Sequence, residues 1–211
     1  MVKAKLSQRF LAFVLSKSEN IEDKIYGEKK RKLISDLKGT ILEIGAGTGT
    51  NLKYYPSDTK IILLEPNPIM QKYIRKNVHL LQTKVKIIKC IAEKIPLKDE
   101  SVDVVVSTLV LCSVNNVDKV LSEIYRVLKK EGKFIFIEHV GDIEGSFRRK
   151  LQDFSIHTPW KFFSDGCHPN REILNNIKKS NFKKVKIERG MIKESGLNYL
   201  INPHIYGYVV K

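Results

Sequence analysis

The segment Thr40–Thr50, TILEIGAGTGT, constrains this chain more than any other. A short apolar run leads into Gly45, Gly47 and Gly49, and a second apolar run, Ile61–Leu64, ends in Glu65-Pro66. Strand, glycine-rich turn, helix start and a second strand ending in an acid together build the carboxyl edge of a parallel sheet, where an adenosine-containing cofactor binds. Gly45 and Gly47 let the backbone turn sharply and approach a ligand with no Cβ in the way. Glu65 offers two oxygens, enough to accept from both hydroxyls of a ribose. A dinucleotide turn, G-x-G-x-x-G, would need glycine at position 50, which is Thr50. The motif is instead E-x-G-x-G-x-G from Glu43, whose carboxylate is expected to accept from an ammonium group on the cofactor, directly or through water.

The rest of the chain alternates in the same way. Strands are expected at about 40–45, 60–65, 84–89, 102–107 and 133–138, with helices near 49–55, 67–78 and 117–129. Asn67-Pro68 opens the second of these helices with a cap residue and a first-turn proline. A helix at 170–179, a strand at 183–189 and a last strand at 204–210 complete the pattern. Apolar strands separated by helices predict an α/β fold: a Rossmann-like, seven-stranded, mostly parallel sheet with helices on both faces. We expect one domain over 1–211 with a helical segment at 1–37 and an insert at 140–169 that roofs the substrate site. In the first helix Leu6, Phe10, Phe13 and Val14 share a face flanked by Lys3, Lys5, Arg9 and Lys17. That face is expected to cover the sheet; the alternatives are that it covers the cofactor cleft or makes peripheral contact with a membrane surface.

The longest apolar runs, such as Phe10–Leu15, are far below the ~20 residues of a membrane span, and a cytoplasmic location is expected. Cys90, Cys112 and Cys167 are widely spaced with no C-x-x-C pair, so neither disulfides nor a metal site are expected. The net charge of +15 is spread over Lys29–Lys32, Arg148–Lys150 and Lys183–Lys186, without interleaved aromatic residues. This makes nucleic acid a disfavoured partner and a small-molecule acceptor the favoured one.

His139 ends the fifth strand, at the edge that faces the cofactor, and is a candidate general base; the alternative is a histidine that orders the roof. Cys112 reads as a buried small hydrophobe more readily than as a nucleophile. Cys167, His168 and Arg171 either edge the pocket or fix the loop, and Asn170 is placed to cap the helix that follows.

Taken in order, EIGAGTGTNLKYYP, LEPNP, STLVLCSV, EIYRVLKKEGKFIFIEHV, DGCHPNRE and PHIYGYVVK resemble the small-molecule thiol methyltransferases, a group of class I enzymes that use S-adenosyl-L-methionine (SAM). The resemblance runs from about residue 38 to 211. The glycine motif marks only the superfamily; LVLCSV, EHV, GC-x-x-x-R and PHIYGY are the specific segments. The resemblance implies SAM-dependent methyl transfer to a small acceptor, most readily a thiol. It also implies a cofactor site made of Glu43, Gly45, Ala46, Gly47, Thr48, Gly49, Asn51, Glu65, Pro66, Ala92, Glu93, Thr108 and Leu109. Cys112, His139, His157, Trp160, His168 and Arg171 would meet the acceptor. Ile91 stands where many relatives have an aspartate for the adenine amino group, so adenine recognition rests on backbone near Ala92, and Glu93 either contacts the cofactor or braces its loop. His157 stands where animal members tend to have aspartate, and the hydrophobic anchor with which those members begin is matched here by the Phe10–Leu15 run at most. The D/N-P-P-Y/F element of base and amide methylases is absent after the fourth strand, which weighs against RNA. Oxygen, nitrogen or carbon transfer to a quinone or lipid precursor, an RNA methyltransferase and a non-catalytic SAM-binding protein are the alternatives.

Overall fold

The computed structural model describes residues 6–78, 84–192 and 196–211; Lys3 and Lys5 lie outside the described residues. In chain order the elements are α1 (Leu6–Ile34), β1 (Thr40–Ile44), β2 (Lys60–Leu64), α2 (Pro68–Val78), β3 (Lys84–Ile88), β4 (Val102–Thr108), α3 (Val117–Val127) and β5 (Leu128–His139). Then follow α4 (Phe147–Ser155), α5 (Trp160–Phe163), α6 (Ile173–Lys179), β6 (Lys183–Gly190) and β7 (His204–Val210). The seven strands form one sheet in the order β3-β2-β1-β4-β5-β7-β6. The first five pair in parallel, while β7 runs antiparallel to both neighbours, β5 and β6. The order reverses between β1 and β4, and a doubly wound sheet opens a ligand crevice at such a point, outside the carboxyl ends of its strands.

Alternation along the strands sorts the core onto two faces. Leu42, Ile44, Val105, Phe134 and Phe136 meet α3 and α6 on one side; Ile41, Leu63, Val104 and Ile135 meet Ile34 of α1 and Ile74 of α2 on the other. In α3 the residues Val117, Val120, Leu121, Ile124 and Val127 are buried, a spacing that lays one stripe on the sheet. Asn116 starts this helix by accepting from the Lys119 N–H at 2.9 Å.

Three local expectations change. The helix expected at 49–55 is a single 3-10 turn, Leu52–Tyr54. Gly49 sits at φ +87°, outside helical space, and Pro56 disfavours helix in the residue before it. The insert at 140–169 contains α4 and α5. Helix α4 carries Phe147, Leu151 and Phe154 at helical spacing, yet Phe147 and Phe154 are exposed and its buried residues are Gln152 and Ser155. On α1, Leu6, Phe10, Phe13 and Val14 are exposed rather than packed on the sheet. Its buried residues are Ser7, Ala12, Tyr26, Gly27, Lys30 and Ile34.

Candidate active site

A cleft of about 780 Å³ lies along the carboxyl ends of β1, β2 and β4. Of the expected cofactor residues, Gly45, Gly47, Glu65, Pro66, Ala92, Glu93 and Leu109 line it. Gly45 and Gly47 adopt φ +58° and +56°, in the left-handed region. A Cβ on Gly45 would stand 2.5 Å from Cγ2 of Val110, so the turn after β4 can approach only because this residue is glycine. A Cβ on Gly47 would meet nothing nearer than 4.0 Å and would fill the cleft itself. Glu65 is buried, with Oε2 accepting from the Gly47 N–H at 2.8 Å and Oε1 from the Asn67 N–H at 2.7 Å. Burial pushes its carboxyl up to about 7, against the lowering pull of those backbone bonds. Each oxygen keeps acceptor capacity for a ribose hydroxyl.

The other expected cofactor residues stand behind the lining. Ala46 is packed in the core and Thr48 turns toward a separate hollow between α1 and α2. Gly49 gives room to Leu52 and Ile74. The Glu43 carboxylate accepts from Asn51 Nδ2 and from the Tyr55 hydroxyl, both at 2.9 Å, and burial raises it to about 7. Asn51 Nδ2 also reaches Thr108 Oγ1 at 3.1 Å, and its Oδ1 is buried with no partner. A buried acceptor in that state fits a donor such as the ammonium of SAM. Glu93 does line the cleft, and it also braces the turn after β4 by accepting from the N–H groups of Asn115 and Asn116 at 2.7 and 3.4 Å.

That turn has a further anchor. Glu138, fully buried, accepts from Ser107 Oγ at 2.5 Å and from the backbone N–H of Val110 and of Leu111, each at 3.1 Å. The bonds hold Leu109 at φ +57° against the cleft. Nothing local in the sequence marks Glu138 for this role, because its partners are about thirty residues earlier in the chain.

The first helix supplies a wall of the cleft, through residues other than Leu6, Phe10, Phe13 and Val14. Ser7, Gln8, Leu11 and Leu15 line the cleft, and Asn67 Nδ2 holds the Gln8 carbonyl at 3.1 Å. Further along, Glu22 accepts from Thr50 and from the buried Lys30, which fastens α1 to the glycine turn. The opposite rim comes from the insert: Lys161, Phe162, Ser164, Asp165 and Gly166.

None of the six expected acceptor residues lines the cleft. His157 is exposed on the outside of the insert. Trp160 packs on the core with its indole nitrogen buried and unpartnered. Arg171 donates to the Leu111 carbonyl at 2.7 Å, and the His168 N–H donates to the Cys112 carbonyl at 2.9 Å. Cys112 and His139 are buried beside Cys167, whose Sγ lies 3.2 Å from His139 Nε2. The hydrogen bond with Cys167 and burial hold the Cys112 thiol well above its ordinary value, and the same bond lowers Cys167. His139 stands off the cleft lining, with its Nε2 on the Cys167 sulfur of the roof. Asn170 does not cap α6; its amide donates to Asp153 Oδ1 at 2.8 Å. The four motif segments nevertheless converge here. LVLCSV brings Cys112, EHV brings His139, GC-x-x-x-R brings Cys167 and Arg171, and PHIYGY brings His204, whose Nε2 lies 2.8 Å from the Tyr26 hydroxyl. Burial pushes His204 down to about 3, so it stays neutral.

A methyltransferase-domain profile matches residues 42–136, the half that carries the glycine turn and β1 to β5. The chain is 40% identical over 195 residues to thiol S-methyltransferase TMT1B of Rattus norvegicus, covering 87% of this chain and 78% of the relative. It is 34% identical over 218 residues to thiol S-methyltransferase TMT1A of Homo sapiens, covering 98% of this chain and 88% of that protein. Among solved structures, a SAM-dependent methyltransferase of Thermotoga maritima shares the fold with a TM-score of 0.65 at 22% identity, over 97% of this chain and 99% of the other.

Proposed function

We propose that this chain, which belongs to the family of the thiol S-methyltransferases, methylates the sulfur of a small apolar thiol. The chain is a SAM-dependent methyltransferase. One observation on the cleft carries the choice of acceptor. Among the described residues its lining contains no histidine, and its ionisable side chains are Glu65, Cys90, Glu93, Lys161 and Asp165. A hydroxyl or a protonated amine needs a base to become a nucleophile at neutral pH, and the carboxylates here are committed to backbone N–H groups or sit at the rim. A thiol of pKa ~8.5 ionises in part without help, and a lysine at the rim favours the anion.

Bound SAM supplies a methyl already activated on a sulfonium. The protein's own work is to position and to exclude water. Gly47 and Glu65 hold the adenosyl end, Ala92 and Pro66 wall it, and Asn51 with Glu43 stands behind the methionine end. Leu11, Leu15, Val110, Val114 and Phe162 form the apolar walls against which an apolar thiol packs. The test is release of S-adenosylhomocysteine with small thiols set against hydroxyl, amine and quinone acceptors. We expect turnover with thiols only, rising with pH along each thiol's own ionisation. Turnover with amines or quinones and none with thiols overturns the reading.

A second observation concerns where such an acceptor comes from. Phe10 and Phe163 meet edge to face at 5.5 Å, Phe162 of the cleft rim meets Phe163 edge to face at 5.4 Å, and Leu6, Phe10 and Phe13 form an exposed rim along one face of α1. No described helix is long and apolar enough to cross a membrane. We propose that this rim rests on a lipid surface, with the basic surface of the chain favouring anionic headgroups. Sedimentation with anionic vesicles tests it; equal recovery of wild type and Phe13→Ser in the supernatant removes it.

A further inference from the structure

The most unusual cluster outside the cleft is the one at the base of its roof. Cys112 comes from the turn after β4, His139 from the end of β5 and Cys167 from the loop before α6. One ligating atom from each, the two sulfurs and an imidazole nitrogen, lie within 4.8 Å of one another. All three residues are buried, and both cysteines are free. His139 Nδ1 is buried with no hydrogen-bond partner, and the polar contacts of this ring are the sulfurs of Cys167 and Cys112. Buried imidazoles normally satisfy both nitrogens, and a ring that faces only sulfur is poorly explained as a packing residue.

We propose that Cys112, His139 and Cys167 form a three-ligand site for a thiophilic divalent cation of the zinc class. Thiolate and imidazole are the ligands zinc favours. With Zn–S about 2.3 Å and Zn–N about 2.0–2.1 Å, a tetrahedral site has S···N edges of about 3.6 Å and S···S edges of about 3.8 Å. The 3.2 Å contact between Cys167 and His139, and the 4.8 Å bound on the cluster, bracket those edges. Charge also balances. Two thiolates neutralise a divalent cation, their protons leaving to solvent, while the imidazole binds neutral. The Arg171 side chain, held against the Leu111 carbonyl, remains as a positive charge beside the site and Glu138 as a negative one.

Three protein ligands leave a fourth position, as in zinc sites that bind substrate. The chain neighbours of the cysteines, Ser113 and Gly166, line the cleft, which puts the cluster one residue behind its wall. If the acceptor is a thiol, as proposed above, its sulfur is the matching fourth ligand. It would lose its proton to solvent on coordination; the sulfur–methyl bond then forms as the sulfonium–methyl bond breaks. The resulting thioether is a weaker ligand and leaves. Only this last step rests on the thiol reading.

The test uses the full chain, reduced, loaded with zinc and freed of excess metal on a desalting column. We expect about one zinc per chain, retained in a variant of the exposed His157, His157→Gln, and lost in Cys167→Ser and in His139→Gln, with SAM affinity unchanged in all three as the check that they fold. The cobalt-loaded chain is expected to show thiolate-to-metal charge-transfer absorption that disappears in Cys167→Ser. Zinc content equal in wild type and Cys167→Ser overturns the site, as does a Cys112–Cys167 disulfide in the protein isolated without reductant. These readouts need neither SAM nor acceptor, so they stand even if thiols are not methylated. Adding an acceptor thiol to the cobalt form should shift the absorption; an unshifted band with metal bound removes the fourth-ligand step and leaves the metal site.

Discussion

The two halves of the active site are built on different rules. On the side of β1 and β2, the groups that face the cleft are glycines, an acid at a strand end and backbone N–H donors, all within Glu43 to Asn67. On the side of β5 and β7, the working groups are side chains that meet only after folding: Cys112, His139, Cys167, Arg171 and His204. The first half depends on backbone conformation, which a short motif encodes. The second depends on tertiary convergence. A local motif can be shared by a whole superfamily, and it says little about the acceptor. A convergent cluster depends on the whole fold, and here it lies behind the cleft wall rather than in it.

Breaking the first half alone should weaken cofactor binding the most. Gly45→Ala combines a left-handed residue, costing roughly 1–2 kcal/mol, with a clash on Val110 costing about 1–3 kcal/mol. We expect SAM affinity to fall by about thirtyfold to a thousandfold, read by calorimetry, with the zinc content of the roof unchanged. A loss of both together would erase the division between the halves.

Glu65→Gln is the next largest. Losing a charged acceptor for two hydroxyls costs about 1.5–3 kcal/mol, or roughly ten- to a hundredfold in SAM affinity. Its pH dependence sharpens the point. Burial raises the Glu65 carboxyl to about 7, so the acceptor form is scarce at pH 6 and dominant at pH 8. SAM affinity of the wild type should therefore rise with pH through about 7 and level off above it. Glu65→Gln should flatten this step to the part owed to Glu43, which burial also raises to about 7. The same raised value gives the opposite sign for stability without ligand. The contribution of Glu65 is present below the ordinary carboxylate range and is lost as pH rises through about 7.

The second half is probed by Gln152→Ala. Gln152 is fully buried, accepts from the Asp142 N–H at 2.8 Å, and donates to the carbonyls of Leu200 and Asn202, each at 2.9 Å. It ties α4 to the segment before β7. Its removal strands those buried backbone groups and should cost about 1–3 kcal/mol in urea unfolding. SAM affinity should change less than twofold. The smallest effect belongs to the exposed rim: Phe13→Ser should leave unfolding free energy within ~0.5 kcal/mol, while reducing vesicle binding. A large loss of stability would place Phe13 in a packed interface.

The contrast also explains what was legible in the sequence. Strand positions, the parallel order, the cap at Asn67 and the lining by Gly45, Gly47, Glu65, Pro66, Ala92, Glu93 and Leu109 follow from local patterns. The roles of Glu138 and Gln152 do not, because a buried polar residue is defined by partners distant in the chain. Helix α1 misled for a physical reason. Its apolar face is the exposed one, and it docks through Tyr26, Lys30 and the backbone at Gln8, so an amphipathic pattern points the wrong way. The six residues expected to meet the acceptor lie outside the lining, a placement that depends on the insert, whose helix α4 buries Gln152 and Ser155 rather than its apolar residues.

Glu138 and His139 are consecutive at the end of β5, and neighbours on a strand face opposite ways. One therefore secures the turn that shapes the cofactor side, while the other secures the roof. A deletion of one residue in β5 would exchange their directions and put an imidazole where three donors converge on a carboxylate. Substitutions here can be tolerated singly, but a shift of phase cannot. A designer who grafts a new roof onto this scaffold must keep the strand's parity before choosing any side chain.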